Sequence, residues 1–439
     1  MGGQVVTAVP WTAERVAGLA PDPASEKAGR ALAAPARWSG AGASEDAVWG
    51  FCQGSGKKPY QTCVELAEPA FRCSCPSRKF PCKHALGLLM LWAARQLDSA
   101  EPPEWVHTWL AERGDRAQRA EKRAEAAGPK DEEAAARRAS DRAARVEGGV
   151  AELKVWLTDR IGAGFAGFER SGGEELRTVA ARMVDAQASG LAGGLRRAAG
   201  IVGRRDWPEA LLGELSLLYL LADAATRLDS LPVPLAETVR TRLGFSVETA
   251  RVLESGERVS DEWLITGAAD EENDRLLTRR TWLRGRLTGR DALVLSFAPP
   301  GRPLDASLPP GHLLTAELAF YPGAAPLRAL VAERGIPLSA PAAEGGSISD
   351  ALAAYARAMA ADPWLERWPV LLSGVTPAEH AGGWCLSEKD GTALPLVPYT
   401  FPWSLLAMSA GRPLTVAGEW SQSGLRPLMC WQDDRAVRL

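Results

Sequence analysis

Tyr60, Thr62 and Val64 alternate with Gln61, Cys63 and Glu65, the period-two pattern of a half-buried strand. Ala47 to Gln53 reads as its partner, joined through Gly54-Ser55-Gly56-Lys57-Lys58-Pro59 as a hairpin turn. Upstream, Thr12 suits the cap of a short helix ending before Pro21, and Asp22-Pro23 the start of another reaching Ala33. A loop rich in Gly, Ala and Ser is expected from there to about Asp46. From Ala85 to Leu97 the chain is nearly free of polar residues, and Leu88, Leu91 and Trp92 share one face. That spacing predicts a helix packed on the hairpin.

Further along, residues 112–147 mix ten basic with nine acidic side chains among many alanines, broken only by Gly128-Pro129. This composition predicts a solvated, mostly helical spacer. Helical periodicity then takes over. Leu153, Trp156, Leu157 and Ile161 share a stripe, and similar spacing recurs in Leu176–Ala199, Pro208–Leu228 and Val247–Leu253. After Gly256 the pattern turns to strands at Trp263–Ile265, Leu276–Leu287, Ala292–Phe297, His312–Tyr321, Trp368–Leu372, Trp384–Ser387 and Leu414–Trp431, with one helix from about Asp350 to Ala361. The expected fold class is α+β multidomain. It divides into an N-terminal region over 1–110 with a ββα finger module at about 45–100, a charged helical linker over 111–148, an α-helical domain over 149–256, and a β-rich domain with helices over 257–439.

Composition narrows the function classes. The 439 residues carry a net charge of −3, so no global basic excess argues for bulk coating of nucleic acid. No run of 18 apolar residues lacks charge, which argues against a membrane protein, and the first 25 residues lack a secretory pattern. Arginine outnumbers lysine 42 to 9 amid abundant alanine, the bias of a GC-rich bacterial genome. A cytoplasmic setting is expected, where clustered thiols favour metal over disulfide.

The cysteines sharpen this. Five of seven lie between positions 52 and 82. Cys73-Ser74-Cys75, six residues, then Cys82-Lys83-His84 place four soft or borderline donors within twelve positions. Zinc takes four such donors in a tetrahedron. On an extended strand residues two apart point the same way, so Cys73 and Cys75 form one edge; Cys82 and His84 open the helix, where its free N–H groups favour thiolate charge. Four protein ligands leave no open position, so the expected cofactor is one structural Zn2+ per chain. Cys52 and Cys63, on the hairpin strands, read as buried free thiols, and Cys385 and Cys430 as core strand residues.

This C-x-C…C-x-H arrangement resembles the SWIM-type zinc finger, found in bacterial proteins, Mutator-like transposases and some chromatin-remodelling ATPases. The match spans about residues 45–100, and the whole chain resembles stand-alone bacterial SWIM proteins. The resemblance implies Cys73, Cys75, Cys82 and His84 as ligands, with contact to DNA or to protein. Around them Lys57, Lys58, Arg72, Arg78, Lys79 and Lys83 face only Glu65 and Glu68, a local excess of +4, with Tyr60, Phe71 and Phe80 interleaved. Such a patch suits phosphate contact and base stacking. The expected function is a non-catalytic zinc protein whose finger contacts nucleic acid, DNA foremost. The alternative is an adaptor that docks a partner protein through finger and C-terminal domain. No small-molecule substrate is indicated.

Two motifs are set aside. Gly162 to Gly167 matches a dinucleotide-binding glycine pattern, yet a helical stretch precedes it where a strand is needed. Asp270-Glu271-Glu272 reads as a solvated acidic loop.

Overall fold

A computed structural model describes residues 12–20, 23–53, 58–66, 70–77, 81–113, 129–273, 276–299, 304–340, 344–380, 382–398, 402–433 and 435–439. The expected order of finger module, helical middle and strand-rich C-terminal part is the architecture found. Among the described residues no helix is long and apolar enough to cross a membrane.

The N-terminal module has four strands where a hairpin was expected. Strands β1 (Trp38–Ala43), β2 (Ala47–Cys52), β3 (Tyr60–Glu65) and β4 (Ala70–Cys73) form one antiparallel sheet in that order. β1 occupies the segment expected to be a loop. Its small residues accommodate a tryptophan: Gly42 pairs with Trp49, and a Cβ at Gly42 would stand 2.8 Å from that indole. Helices α1 (Ala13–Gly18), α2 (Pro23–Leu32) and α3 (Lys83–Ala93) cover one face. α3 buries Ala85, Leu86, Leu88, Leu89 and Leu91 against Val48, Cys52 and Val64. α2 and α3 cross closely because Gly87 lacks a side chain; a Cβ there would sit 2.9 Å from the Leu32 Cβ and 3.1 Å from the Gly29 carbonyl oxygen. The opposite sheet face packs Ala47, Trp49 and Cys63 on Val106, from the helical residues 104–113 (α4).

Residues 114–128 of the expected linker lie outside the described residues. Residues 129–145 are helical, and 136–145 are largely exposed, as the composition predicts. α5 (Pro129–Ala163) runs unbroken through the expected boundary at 148/149, and its buried face begins at Val146. α5 packs with α6 (Phe168–Asp185), α7 (Ser189–Ala199), α8 (Trp207–Ala225) and α9 (Val233–Leu243) around Leu153, Leu157, Leu176, Leu191, Leu215 and Val239. Ile161, expected on the same stripe, is exposed, because the helix ends two residues later. The glycine pattern at 162–167 is the α5–α6 turn, with Gly164 and Gly167 in the left-handed region at φ 71° and 76°.

After α10 (Thr249–Ser255) the chain builds two six-stranded antiparallel sheets. The first holds β5 (Glu257–Asn273), β6 (Leu276–Gly285), β7 (Asp291–Ala298), β8 (His312–Phe320), β9 (Ala329–Arg334) and β10 (Leu338–Ser339). β5 pairs with β6 and β8, β6 with β7, and β8 with β9. A parallel bridge Leu293↔Arg328, with the Leu293 amide donating to the Leu327 carbonyl at 2.7 Å, brings β7 beside β9 and closes a barrel. After α11 (Ile348–Ala361) the plan repeats with β11 (Trp368–His380), β12 (Gly383–Ser387), β13 (Ala393–Pro395), α12 (Trp403–Ser409), β14 (Leu414–Ser421) and β15 (Gly424–Gln432), plus an edge strand β16 (Arg435–Arg438). Its closing parallel bridge is Leu396↔Leu425. The Asp270–Glu272 run lies in β5, not in a loop, and pairs across the strand with Arg279 and Arg280. The barrels meet through Leu264, Leu371, Met429 and Trp431.

Candidate metal centre

Cys73 ends β4, directly opposite Thr62 of β3. The pairing continues one residue further: the Ser74 amide donates to the Gln61 carbonyl at 2.9 Å, and the Gln61 amide donates to Ser74 Oγ at 2.9 Å. Cys75 lies just beyond, where the chain leaves the sheet. On the other side Cys82 is the N-cap residue of α3, and His84 is its second residue. Strand end and helix start are thereby brought together by the packing of α3 on β2 and β3.

Among the described residues one group is placed to hold a metal, and it consists of Cys73, Cys75, Cys82 and His84. All four donor atoms lie within 4.8 Å of one another. Cys73 Sγ is 3.8 Å and Cys82 Sγ 4.0 Å from His84 Nδ1. A tetrahedron with Zn–S bonds of about 2.3 Å has edges of about 3.8 Å. The donor set and spacing therefore fit one Zn2+, with Nδ1 as the imidazole donor and no ligand position left open. Cys82 and His84 are buried and the other two half-buried, as suits a structural site.

Surrounding groups prepare these donors. Thr62, fully buried, holds its hydroxyl 3.2 Å from Cys73 Sγ. The Tyr60 ring lies 4.9 Å from the His84 ring, centroid to centroid. Thr62 was not singled out from the sequence, because its pairing with Cys73 is set by the register of β3 against β4, and Tyr60, expected as a stacking surface for bases, packs on the His84 ring instead. Hydrogen bonding among the sulfurs, from Cys73 first, drives the Cys75 thiol far down and the Cys82 thiol far up. Burial works to lower His84, but hydrogen bonds from Cys73 and Cys75 outweigh it and raise the imidazole to about 9. The metal-free cluster thus holds protons that zinc must displace.

Cys52 and Cys63 are both buried, on opposite sheet faces. Burial raises the Cys52 thiol and pushes Cys63 up to about 12, so both stay protonated. Cys385 and Cys430 are likewise buried strand residues.

The basic residues are not one surface. Lys58 and Lys83 are exposed, and Lys83 lies between the ligands Cys82 and His84. Arg72 is exposed too, but it pairs with Cys63 and so projects from the sheet face opposite Cys73. Lys57, Arg78 and Lys79 lie outside the described residues.

Two family models match. Residues 72–92 match the SWIM zinc finger, and residues 141–243 the SWIM-associated four-helix bundle domain. The first spans all four donors; the second spans the helices from within α5 to the end of α9. No curated protein and no solved structure matches the chain. The chain is thus similar to the SWIM zinc finger across its metal centre and to the SWIM-associated four-helix bundle domain across the helices that follow.

Proposed function

We propose that the zinc-fixed strand–helix junction contacts nucleic acid, DNA foremost, and that the protein binds rather than catalyses. The reading is carried by Lys83. It stands exposed at the first position of α3, between the ligands Cys82 and His84, so the metal fixes its backbone on both sides. A cation so placed meets a phosphate with little loss of freedom, beside a helix start whose free N–H groups also attract anions. Lys58 adds a second exposed charge, and Arg78 and Lys79 lie in the connection between the ligand pairs. From composition and thiol chemistry we read the protein as cytoplasmic and bacterial.

Binding of the zinc-loaded protein to duplex DNA tests this. Affinity should fall steeply with salt and drop in Arg78→Ala with Lys79→Ala, whereas Arg72→Ala, on the opposite face, should change little. If DNA binding is absent and one partner protein co-purifies at unchanged salt dependence, the adaptor reading replaces this one.

A further inference from the structure

The two barrels share one plan but close differently at one end. In the second, α12 stands in the link between the third and fourth strands, β13 and β14, and sets Leu405 into one core with Leu394 and Val416. In the first, the same link joins β7 to β8. Its described residues 304–311 form no helix, and of these Leu308 alone joins the barrel core. A helix plugs one barrel, whereas a single leucine stands at the corresponding end of the other.

A cavity of ≈ 980 Å³ lies at that end of the first barrel. Val294 of β7, Val331 of β9 and Leu308 line it from the barrel core, Ile336 from the turn after β9, and Leu19 from the finger module. Barrel mouths are among the places where small molecules bind, and the volume is at the top of the range of roughly 300–1,000 Å³ that such sites occupy. Among the described residues no Phe, Tyr or Trp lines it. Planar ligands such as bases are held by stacking on those rings, so this wall favours an aliphatic chain.

The polar groups on the wall choose the head group. Arg113 is already paired with Glu65 at 2.8 Å and lies over the Trp109 ring. Asp305 is turned on Ser307, whose amide and hydroxyl donate to it at 2.9 and 2.7 Å. His312 donates from Nδ1 to the Pro310 carbonyl at 3.2 Å, and burial holds its imidazole below the ordinary value, so the ring is neutral at about pH 7. Arg334, at the end of β9, is exposed and enters no ion pair among the described residues. An unpaired guanidinium beside an aliphatic cavity complements a carboxylate that carries a hydrocarbon chain.

We propose that the open end of the first barrel binds an aliphatic carboxylic acid, its chain against Val294, Leu308, Val331 and Ile336 and its carboxylate at Arg334. The site goes beyond the finger reading and uses none of its residues.

The test is calorimetric titration of the full-length zinc-loaded protein with decanoate, which should bind once per chain. Shortening the acid to octanoate should weaken binding about tenfold or more, because each buried methylene is worth about fourfold. Arg334→Gln should weaken decanoate about tenfold and leave decan-1-ol unaffected, with circular dichroism unchanged because the side chain is exposed. Ile336→Trp should fill the cavity and abolish binding of both. The proposal is overturned by a wild-type protein that takes up no decanoate saturably, by decanoate affinity unchanged in Arg334→Gln, or by undiminished binding in Ile336→Trp, the mark of loose adsorption. Duplex DNA should bind Ile336→Trp as it binds the wild type, so this reading and the finger reading fail separately.

Discussion

His84 shows how one residue couples folding, protons and metal. Without zinc, its raised pKa means that protonated imidazole beside the sulfurs contributes stability fully below the ordinary value near 6.5, and this is lost as pH rises through about 9. Zinc requires the neutral ring and three thiolates, so the metal takes over the holding of the cluster as protons leave. Zinc binding should therefore release protons, and affinity should fall steeply as pH drops. Calorimetric titration in buffers of differing ionisation enthalpy measures the protons directly; a buffer-independent heat would refute the claim. This much chemistry was legible in the sequence, because ligand identity and spacing are local properties. That His84 offers Nδ1, that Thr62 supports Cys73 and that Arg72 faces the other way all depend on strand register and helix orientation.

At the scale of elements, the metal centre depends on how closely α3 sits against α2. Gly87 permits that approach, and a methyl group there meets the Gly29 carbonyl oxygen at 3.1 Å, a backbone atom that cannot swing aside. Gly87→Ala should destabilise the finger module by about 1–3 kcal/mol. Hydrogen exchange on the full-length protein should show faster exchange in β2, β3 and α3, with the helices α5–α9 unchanged. Elements with strong periodicity, such as the β2–β3 hairpin and α3, were readable from the chain. β1 was not, because glycine and alanine lack a strand signature, and the segment becomes a strand only by pairing with β2 around Trp49. Likewise Leu176–Ala199 read as one helical stretch but is two helices, α6 and α7, with Gln187 between them in the left-handed region at φ 60°.

For the whole molecule, the two barrels are joined by a buried charge cluster. Glu419, 3% exposed, accepts from Arg280 Nε at 2.8 Å and from Trp282 Nε1 at 2.8 Å. Burial works to raise this carboxyl, but the hydrogen bonds from Arg280 and Trp282 outweigh it and hold it below the usual glutamate range. Its contribution to stability is thus present above the ordinary glutamate value of about 4.5 and is lost as pH falls through the lowered one. Glu419→Ala leaves the Arg280 guanidinium buried with only Glu271, and should cost about 3–5 kcal/mol in the unfolding of the C-terminal region. A thermal scan checks this, with zinc retention as the control that the finger is untouched. An unchanged transition would mean that the pair contributes nothing to the joint.

Residue types at short spacing were enough to give the finger ligands, their metal and the succession of finger, helices and strands. Tertiary structure decided what long-range pairing controls. It closed each strand set through one parallel bridge, with Leu293 meeting Arg328 and Leu396 meeting Leu425. It drew Glu419 to Arg280 across 139 residues, and it left Phe297 facing water. No local pattern encodes such meetings, because their free energy arises only when distant segments exclude water together.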